Sequence, residues 1–311
     1  MLALTSKAVF HGLAGVGLLR RLASRYGMAP GHGFARRFIA GESVDEAIDA
    51  ARVVGAKGFG VSLDYLGESV GTLELADAAT RAYLDIVERV VASGVERNLS
   101  VNLTQLGLDV DRATALDNLR RILEAAGPHG FFVRVDMENS PYTDATIDIV
   151  ETAFGLGHQQ VGTVIQSCLM RSPADVERLN ALGARVRLVK GAYREPKTIA
   201  YRKMSDVDAA FVELAKRLLD ANPYAAIATH DPIMIDAVKT YAAECGLGAD
   251  RFEFQMLYGI RRDLQAALLA EGYRVRVYVP FGQQWFPYFM RRLGERPANV
   301  VFVVKGILRD R

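Results

Sequence analysis

The sequence has few of the residues that metal sites and disulfides require. Its 311 residues include two cysteines, Cys168 and Cys245, and five histidines. Two isolated cysteines favour reduced thiols in a cytosolic protein over a disulfide framework. Neither His-x-x-x-His nor Cys-x-x-Cys spacing occurs, so we expect no dedicated metal site.

A strong net charge and a long apolar run are also absent. The formal net charge is +2, which gives no sign of nucleic-acid binding. No apolar run reaches about 18 residues without a charge or a glycine, so we expect no membrane-spanning helix. The hydrophobic content of 50% suffices for a sizeable core. One large domain with a small appendage is the expected organisation.

Acidic residues are missing from the first 41 positions. This segment holds six basic residues, and its apolar stretch 8–19 is interrupted by three glycines. We interpret residues 1–41 as a helical arm on the domain. A more specific interpretation is that this arm contacts an anionic membrane surface. A signal peptide is a third, although no small-x-small site clearly follows the apolar stretch.

Short segments rich in β-branched and aromatic residues alternate with helix-like segments from residue 59 onward. The predicted strands are 59–65, 99–104, 131–137, 162–167, 185–190, 224–229, 252–256 and 273–279. The predicted helices include 72–97, 111–126, 205–219, 232–245 and 261–270, and one that begins with Ser172 as N-cap. Eight strand–helix units in about 250 residues predict an α/β fold, a (β/α)8 barrel within 42–311. A doubly wound open sheet is the alternative, but no Gly-x-Gly-x-x-Gly motif follows the first strand.

Polar residues collect where the predicted strands end, and active sites of such barrels lie at that end. Buried polar groups are costly unless they are paired or used, so this series predicts a site. The candidates are Asp64, Glu68, Asn102, Arg134, Asp136, Glu138, Gln166, Arg187, Lys190, Thr229, His230, Asp231, Gln255, Tyr258 and Tyr278. A further group, Tyr288, Arg291, Arg292 and Glu295, lies on one side of a predicted helix after the eighth strand. Two adjacent arginines there can offer two planar forks to one carboxylate.

Several of these residues have a second interpretation. Asp136 could serve only in a structural pair with a neighbouring arginine, and His230 could be a satisfied core histidine. Lys190 could form a Schiff base, as strand-end lysines do in barrel aldolases. Gln166 could satisfy a backbone group, or its amide could bind the pyrimidine edge of a flavin. The glycine after Lys190 favours close approach of the backbone to a flat ligand.

The ordered set of motifs resembles the proline dehydrogenase family, in particular its single-function bacterial members. The resemblance rests on residues 63–68 (LDYLGE), 103–107 (LTQLG), 133–138 (VRVDME), 187–193 (RLVKGAY), 228–231 (ATHD) and 288–295 (YFMRRLGE). It implies a distorted barrel that holds FAD without a Rossmann fold, with the last helix over the barrel mouth. The implied reaction is oxidation of L-proline to Δ1-pyrroline-5-carboxylate by hydride transfer to flavin N5, the first step of proline catabolism. Electrons would pass to a membrane quinone, and a pyrroline-5-carboxylate dehydrogenase would act downstream. The implied location is the cytoplasm, with peripheral contact at the inner face of the membrane.

The resemblance also implies roles for individual residues. Arg187, beside flavin N5, and Asp136, which orients it, would be catalytic. The FAD contacts would be Met137, Gln166, Arg187, Lys190, Gly191, Ala192, Thr229 and His230. The substrate contacts would be Arg291, Arg292, Asn102, Tyr278, Leu257, Tyr288, Glu68 and Glu295, with Glu68 paired to Arg291. Asn102 is a departure, because the family usually has lysine there.

Three other functions remain open from the sequence. The same chemistry could act on hydroxyproline. A Schiff-base aldolase could use Lys190. A catalytically silent proline-binding module is the non-enzymatic alternative, since Asn102 replaces a charged residue.

Overall fold

The strands form a closed, all-parallel barrel in which β8 pairs with β1. The computed structural model describes residue 28 and residues 34–221 and 224–295. The strands are β1 Gly60–Tyr65, β2 Asn98–Val101, β3 Phe132–Val135, β4 Val161–Gln166, β5 Arg185–Val189, β6 Ala225–Ala228, β7 Phe252–Leu257 and β8 Val275–Phe281. The predicted barrel is therefore confirmed, and the open-sheet alternative is wrong.

Helices follow the strands around the barrel. They are α1 Val44–Gly55, α2 Leu73–Ser93, α3 Arg112–Ala126, α4 Thr143–Gly155, α5 Ser172–Leu182, α6 Met204–Ala221, α7 Pro232–Glu244, α8 Arg262–Ala270 and α9 Trp285–Glu295. The helix predicted at 72–97 ends at Ser93, because Gly94 adopts a left-handed φ of 72° that stops the helix. No described helix has the length and apolarity needed to cross a membrane.

Two local features of the helices differ from the sequence analysis. Helix α1 was not predicted, although its capping box is legible: Ser43 Oγ accepts from Glu46 N, and Glu46 Oε2 accepts from Ser43 N at 3.1 Å. Ser172 was predicted as the N-cap of α5 but lies inside the helix, after Arg171. Its hydroxyl instead donates to the carbonyl of Gln166 at 2.6 Å, which ties α5 to the end of β4.

An aromatic cluster holds α9 across the end of the barrel. Trp285 and Phe289 of α9 pack with Phe38 and Ile39, which precede α1, in a cluster separate from the two cores between strands and helices. Ala40 N donates to Pro280 O at 2.9 Å, which fixes this segment to β8. The last helix thus lies over the barrel mouth, as expected. Residues 1–27 and 29–33 lie outside the described part, so the arm at 1–41 stays a prediction.

The barrel interior below the mouth is charged rather than apolar. Glu253 is 4% exposed and accepts from Arg276 Nε at 2.7 Å. The same arginine donates through Nη1 to Glu96 at 2.7 Å, where the glutamate side chain is 41% exposed. Burial opposes ionisation of Glu253, but the charge and hydrogen bond of Arg276, the hydrogen bond from Gln255 and the charge of Arg134 together outweigh it, and the pKa of Glu253 lies below its usual value. A buried pair of this kind costs stability when one partner is removed.

Arg134 belongs to this lower layer and not to the mouth. Its Nη1 donates to the carbonyls of Thr163 at 2.9 Å and Arg185 at 2.6 Å, and its guanidinium lies over Phe132. Asp136 follows two residues later on the same face of the chain, one layer closer to the mouth. The placement of Arg134 at the site was therefore wrong.

We predict that Glu253→Gln lowers the free energy of unfolding by about 3 kcal/mol at neutral pH, because it leaves Arg276 buried beside a neutral amide. Urea unfolding of the parent and the variant measures this. The folded pKa of Glu253 is depressed, so its contribution is present above the ordinary glutamate pKa and is lost as pH falls through the folded value.

Glu96→Gln is the matched control, since it removes an exposed charge from the same arginine. It should cost less than about 1 kcal/mol. Equal decreases in the free energy of unfolding in the two variants would show that the buried Glu253 stabilises the fold no more than the exposed Glu96 does.

Candidate active site

A cavity of about 620 Å³ opens at the carboxyl ends of the strands, under α9. Every residue that the sequence analysis assigned to substrate or cofactor lines it, except Glu295. These residues are Glu68, Asn102, Asp136, Met137, Gln166, Arg187, Lys190, Gly191, Ala192, Thr229, His230, Leu257, Tyr278, Tyr288, Arg291 and Arg292. The side chain of Glu295 lies outside the described part of the chain. The structure brings the candidates together, and their individual roles stay predictions.

The floor of the cavity is built around a buried arginine. Arg187 is 5% exposed, and its Nη1 donates to Asp136 Oδ1 at 2.7 Å while its Nε donates to Gln255 Oε1 at 2.6 Å. Tyr278 donates its hydroxyl to Asp136 Oδ2 at 2.8 Å, and its ring lies 5.1 Å from the Arg187 guanidinium. Gln255 in turn donates to the buried Glu253, so the floor is continuous with the charged barrel interior. Such a network can hold a cation in one orientation.

Asp64 also reaches the cavity, although the sequence analysis gave it no role. It is 1% exposed, and its Oδ1 has no hydrogen-bond partner. Burial is the main cause that raises its pKa to about 8, and the nearby charge of Asp136 adds to it. A carboxyl group in this state titrates near neutral pH.

One wall carries a doubly paired lysine. Lys190 Nζ lies 2.6 Å from Asp208 and 2.7 Å from Asp231. Burial favours the neutral amine, but hydrogen bonds to both carboxylates outweigh it and raise the pKa of Lys190. A Schiff base requires a neutral amine, so this geometry argues against the aldolase interpretation.

The turn after Lys190 brings backbone close to the cavity. Gly191 has φ +112°, and a Cβ atom there would overlap the sulfur of Cys168 and lie 3.2 Å from Gln166 Oε1. Only glycine fits this position without strain. Gln166 Nε2 donates to Glu138 O at 3.0 Å, so its amide satisfies a backbone group and also lines the cavity.

His230 joins two strand ends. Its Nε2 accepts from Leu257 N at 2.9 Å, so the backbone amide fixes the ring. Both residues line the cavity. His230 is thus hydrogen-bonded and also lines the cavity, and its contact with a cofactor stays a prediction.

The roof is formed by α9. Arg291 pairs with Glu68 through both ends of its fork, at 2.5 Å and 3.2 Å, which is the pairing that the resemblance implies. Burial alone would lower the pKa of Arg291, but Glu68 outweighs it and raises it. The Arg292 guanidinium lies 5.1 Å from the centroid of the Tyr288 ring. Asn102, on the neighbouring wall, donates to Gly67 O at 3.4 Å.

Some strand-end candidates lie elsewhere. Glu138 is buried and accepts from the amide and hydroxyl of Thr104, which turns it away from the cavity. Tyr258 is likewise not among the lining residues. Met204 and Arg261 line the cavity but were not predicted as site residues. Met204 is the first residue of α6 and Arg261 is the residue before α8, so neither directly follows a predicted strand.

Comparison with known proteins identifies the family. The family model for proline dehydrogenase matches residues 47–305. Proline dehydrogenase of Deinococcus radiodurans is 43% identical over 88% of this chain and 90% of its own length, and proline dehydrogenase 2 of Bacillus subtilis is 37% identical over 96% and 98%. The crystal structure of proline utilization A from Bdellovibrio bacteriovorus, inactivated by N-propargylglycine, superposes with a TM-score of 0.78 at 26% identity, covering 84% of this chain and 32% of that one. This chain belongs to the proline dehydrogenase family.

Proposed function

We propose that this protein oxidises L-proline to Δ1-pyrroline-5-carboxylate, with FAD bound in the cavity as the hydride acceptor. The observation that carries the proposal is a cavity with cations at both ends. Arg291 and Arg292 line its roof, and Arg187 lies at its floor. A small zwitterion can bind at the roof while its ring faces a flat cofactor that contacts the floor. The names of the relatives support the choice of proline.

The roof fits the carboxylate of an amino acid. Glu68 fixes Arg291 by a salt bridge, and the neighbouring Arg292 guanidinium lies over the ring of Tyr288. Guanidinium forks bind carboxylates bidentately, which an ammonium cannot do. Asn102 adds an amide but no charge at this point, so two cations would hold the substrate carboxylate instead of the three expected for the family.

The sides of the cavity fit a small saturated ring. Leu257 and the rings of Tyr278 and Tyr288 supply apolar surface between roof and floor. Tyr288 is only 6% exposed and would limit the far edge of the ring. This arrangement favours proline over hydroxyproline, whose extra hydroxyl would meet that edge.

The residues present fit FAD. The glycine at 191 removes a side chain beside Gln166, and the doubly paired Lys190 adds a fixed cation on the same wall. The groups that would hold the cofactor are Met137, Gln166, Arg187, Lys190, Gly191, Ala192, Thr229 and His230. When bound, FAD supplies the two-electron acceptor. Arg187 would then stabilise developing negative charge on the ring system, with Asp136 and Gln255 holding the guanidinium in place.

The reduced cofactor requires an electron acceptor, and we propose a membrane quinone. The protein would act in the cytoplasm and meet the membrane peripherally, with residues 1–41 as the candidate contact. Its product would pass to a pyrroline-5-carboxylate dehydrogenase.

We predict that Arg292→Ala raises the apparent KM for proline by about a hundredfold or more, because two charge-assisted hydrogen bonds are lost. Flavin content should not change. Arg292→Lys should recover only part of the loss, because the planar fork is missing. Arg120→Ala, on the outer surface of α3, is the control and should behave like the parent. A KM for Arg292→Ala within about threefold of the parent value would contradict the role in carboxylate binding.

We predict that Asp136→Ala lowers kcat while the protein stays folded, because Arg187 loses one of the two groups that orient it. Removal of this negative charge should also raise the flavin midpoint potential, measured by spectroelectrochemistry. Asp136→Asn keeps the size of the side chain and should reproduce the change in potential. An unchanged kcat and potential in both variants would leave Asp136 with a structural role only.

A further inference from the structure

A buried carboxyl group in the cavity has no task in the proposed function so far. Asp64, near the end of β1, is 1% exposed and lines the cavity. Its Oδ1 atom has no hydrogen-bond partner. Buried polar atoms are almost always satisfied in folded proteins. Because Asp64 lines the cavity, a ligand bound there can supply the partner that its carboxyl group lacks.

The groups around Asp64 set the kind of ligand atom that it can accept. They are Asp136 from β3, Tyr278 from β8, Arg187 from β5, Glu68 from the loop after β1 and Tyr83 from α2. Four of the five are acidic or phenolic groups that carry no positive charge, and the fifth, Arg187, already donates to Asp136, as Tyr278 also does. The neighbour on β2 that lines the cavity is the neutral Asn102. Among these described neighbours the one cation, Arg187, is already engaged by Asp136 and Gln255, so a positively charged N–H group of a ligand is a suitable partner for Asp64.

We infer that Asp64 accepts the proton of the substrate's ring ammonium. The inference rests on the proposed function, in which the substrate is a cyclic secondary amine held by its carboxylate at the roof. A carbon–hydrogen bond next to nitrogen releases hydride only when the nitrogen has a lone pair to donate. An ammonium has none, so a proton must leave before the oxidation.

The step balances in protons and electrons. The N–H bond of the ammonium breaks, and an O–H bond forms on Asp64, which gives a neutral amine and a neutral carboxyl group. The nitrogen lone pair would then form a carbon–nitrogen double bond as hydride leaves the adjacent carbon, and FAD, when bound, would supply the two-electron acceptor. The product is the protonated cyclic imine. Release of the proton from Asp64 to solvent restores the free enzyme.

The pH dependence of kcat/KM tests this role. Burial first, and then the charge of Asp136, raise the pKa of Asp64 to about 8, while the nearby Tyr278 hydroxyl and the charge of Arg187 oppose the shift. The free enzyme must be ionised at Asp64 to accept a proton from the zwitterion. In the parent enzyme kcat/KM should therefore rise as pH increases through about 8.

In Asp64→Asn the rise of kcat/KM through about pH 8 should be absent. At pH near 7 the variant should lose on the order of a hundredfold in kcat/KM, and its rate should climb only toward the higher pKa of the substrate amine. Glu138→Gln is the control, because Glu138 is also buried, has a pKa raised to about 7 mainly by burial, and does not line the cavity. Glu138→Gln should still show the rise of kcat/KM through about pH 8.

Binding of tetrahydrofuran-2-carboxylate, in which oxygen replaces the ring nitrogen, gives a readout without turnover. This anion has no proton to give, so the parent holoenzyme should bind it more weakly as Asp64 ionises above about pH 8. Asp64→Asn should bind it with a Kd that does not change over the same range. Isothermal titration from pH 6 to pH 9 measures both, a range chosen as about one unit or more on each side of the expected pKa.

The two failures are distinguishable. A parent enzyme that oxidises proline, with identical pH profiles and identical analogue titrations in Asp64→Asn, overturns the assignment to Asp64 and leaves the proposed function standing. A parent enzyme that neither oxidises proline nor binds the analogue overturns the proposed function and this inference together.

Discussion

A guanidinium buried in the barrel, that of Arg187, is the constraint on which the rest of the structure depends. A cation removed from water needs compensating groups in every direction, and removing one of them is costly. Asp136 and Gln255 compensate it directly, at 2.7 Å and 2.6 Å. Gln255 is held by Glu253, which is paired to Arg276. A column of polar contacts therefore runs from the lower rim of the barrel to the cavity floor, where ordinary barrels have apolar layers.

This column links stability to chemistry. The groups that satisfy Arg187 also fix where positive charge lies beneath the cavity, and fixed charge in a site with little water stabilises developing charge without reorganisation. The roof depends on a different force. Hydrophobic packing of Trp285 and Phe289 against Phe38 holds α9 in place, and the Glu68–Arg291 pair closes it onto the loop after β1. The two ends of the cavity are thus assembled from distant parts of the chain.

The sequence predicts the barrel and most of the cavity lining because both follow from short periodic patterns. A strand appears in the sequence as a short run of mostly apolar residues. The polar residue that ends the run marks the carboxyl end of the strand. The sequence pattern does not show at which level along the barrel axis a side chain lies. Arg134 in β3 and Asp136 just after it lie on one face of the chain, yet Arg134 lies a layer lower, and only the pairing of neighbouring strands decides this.

Other errors have equally physical causes. Glu138 follows a strand but is captured by the amide and hydroxyl of Thr104, a contact between distant segments. Asp64 was recorded as a strand-end residue without a role, because its missing partner becomes apparent only when its neighbours are placed. Helix α1 has a capping box at Ser43 and Glu46, but it precedes β1 and therefore lies outside the alternation of strands and helices on which the helix predictions depend.

The visible absorption spectrum of the purified protein, recorded without oxygen before and after addition of L-proline, tests the central claim most directly. The account predicts a yellow protein with oxidised flavin absorption that bleaches when proline is added. A colourless, fully folded protein, or a flavin spectrum that proline leaves unchanged, would contradict it.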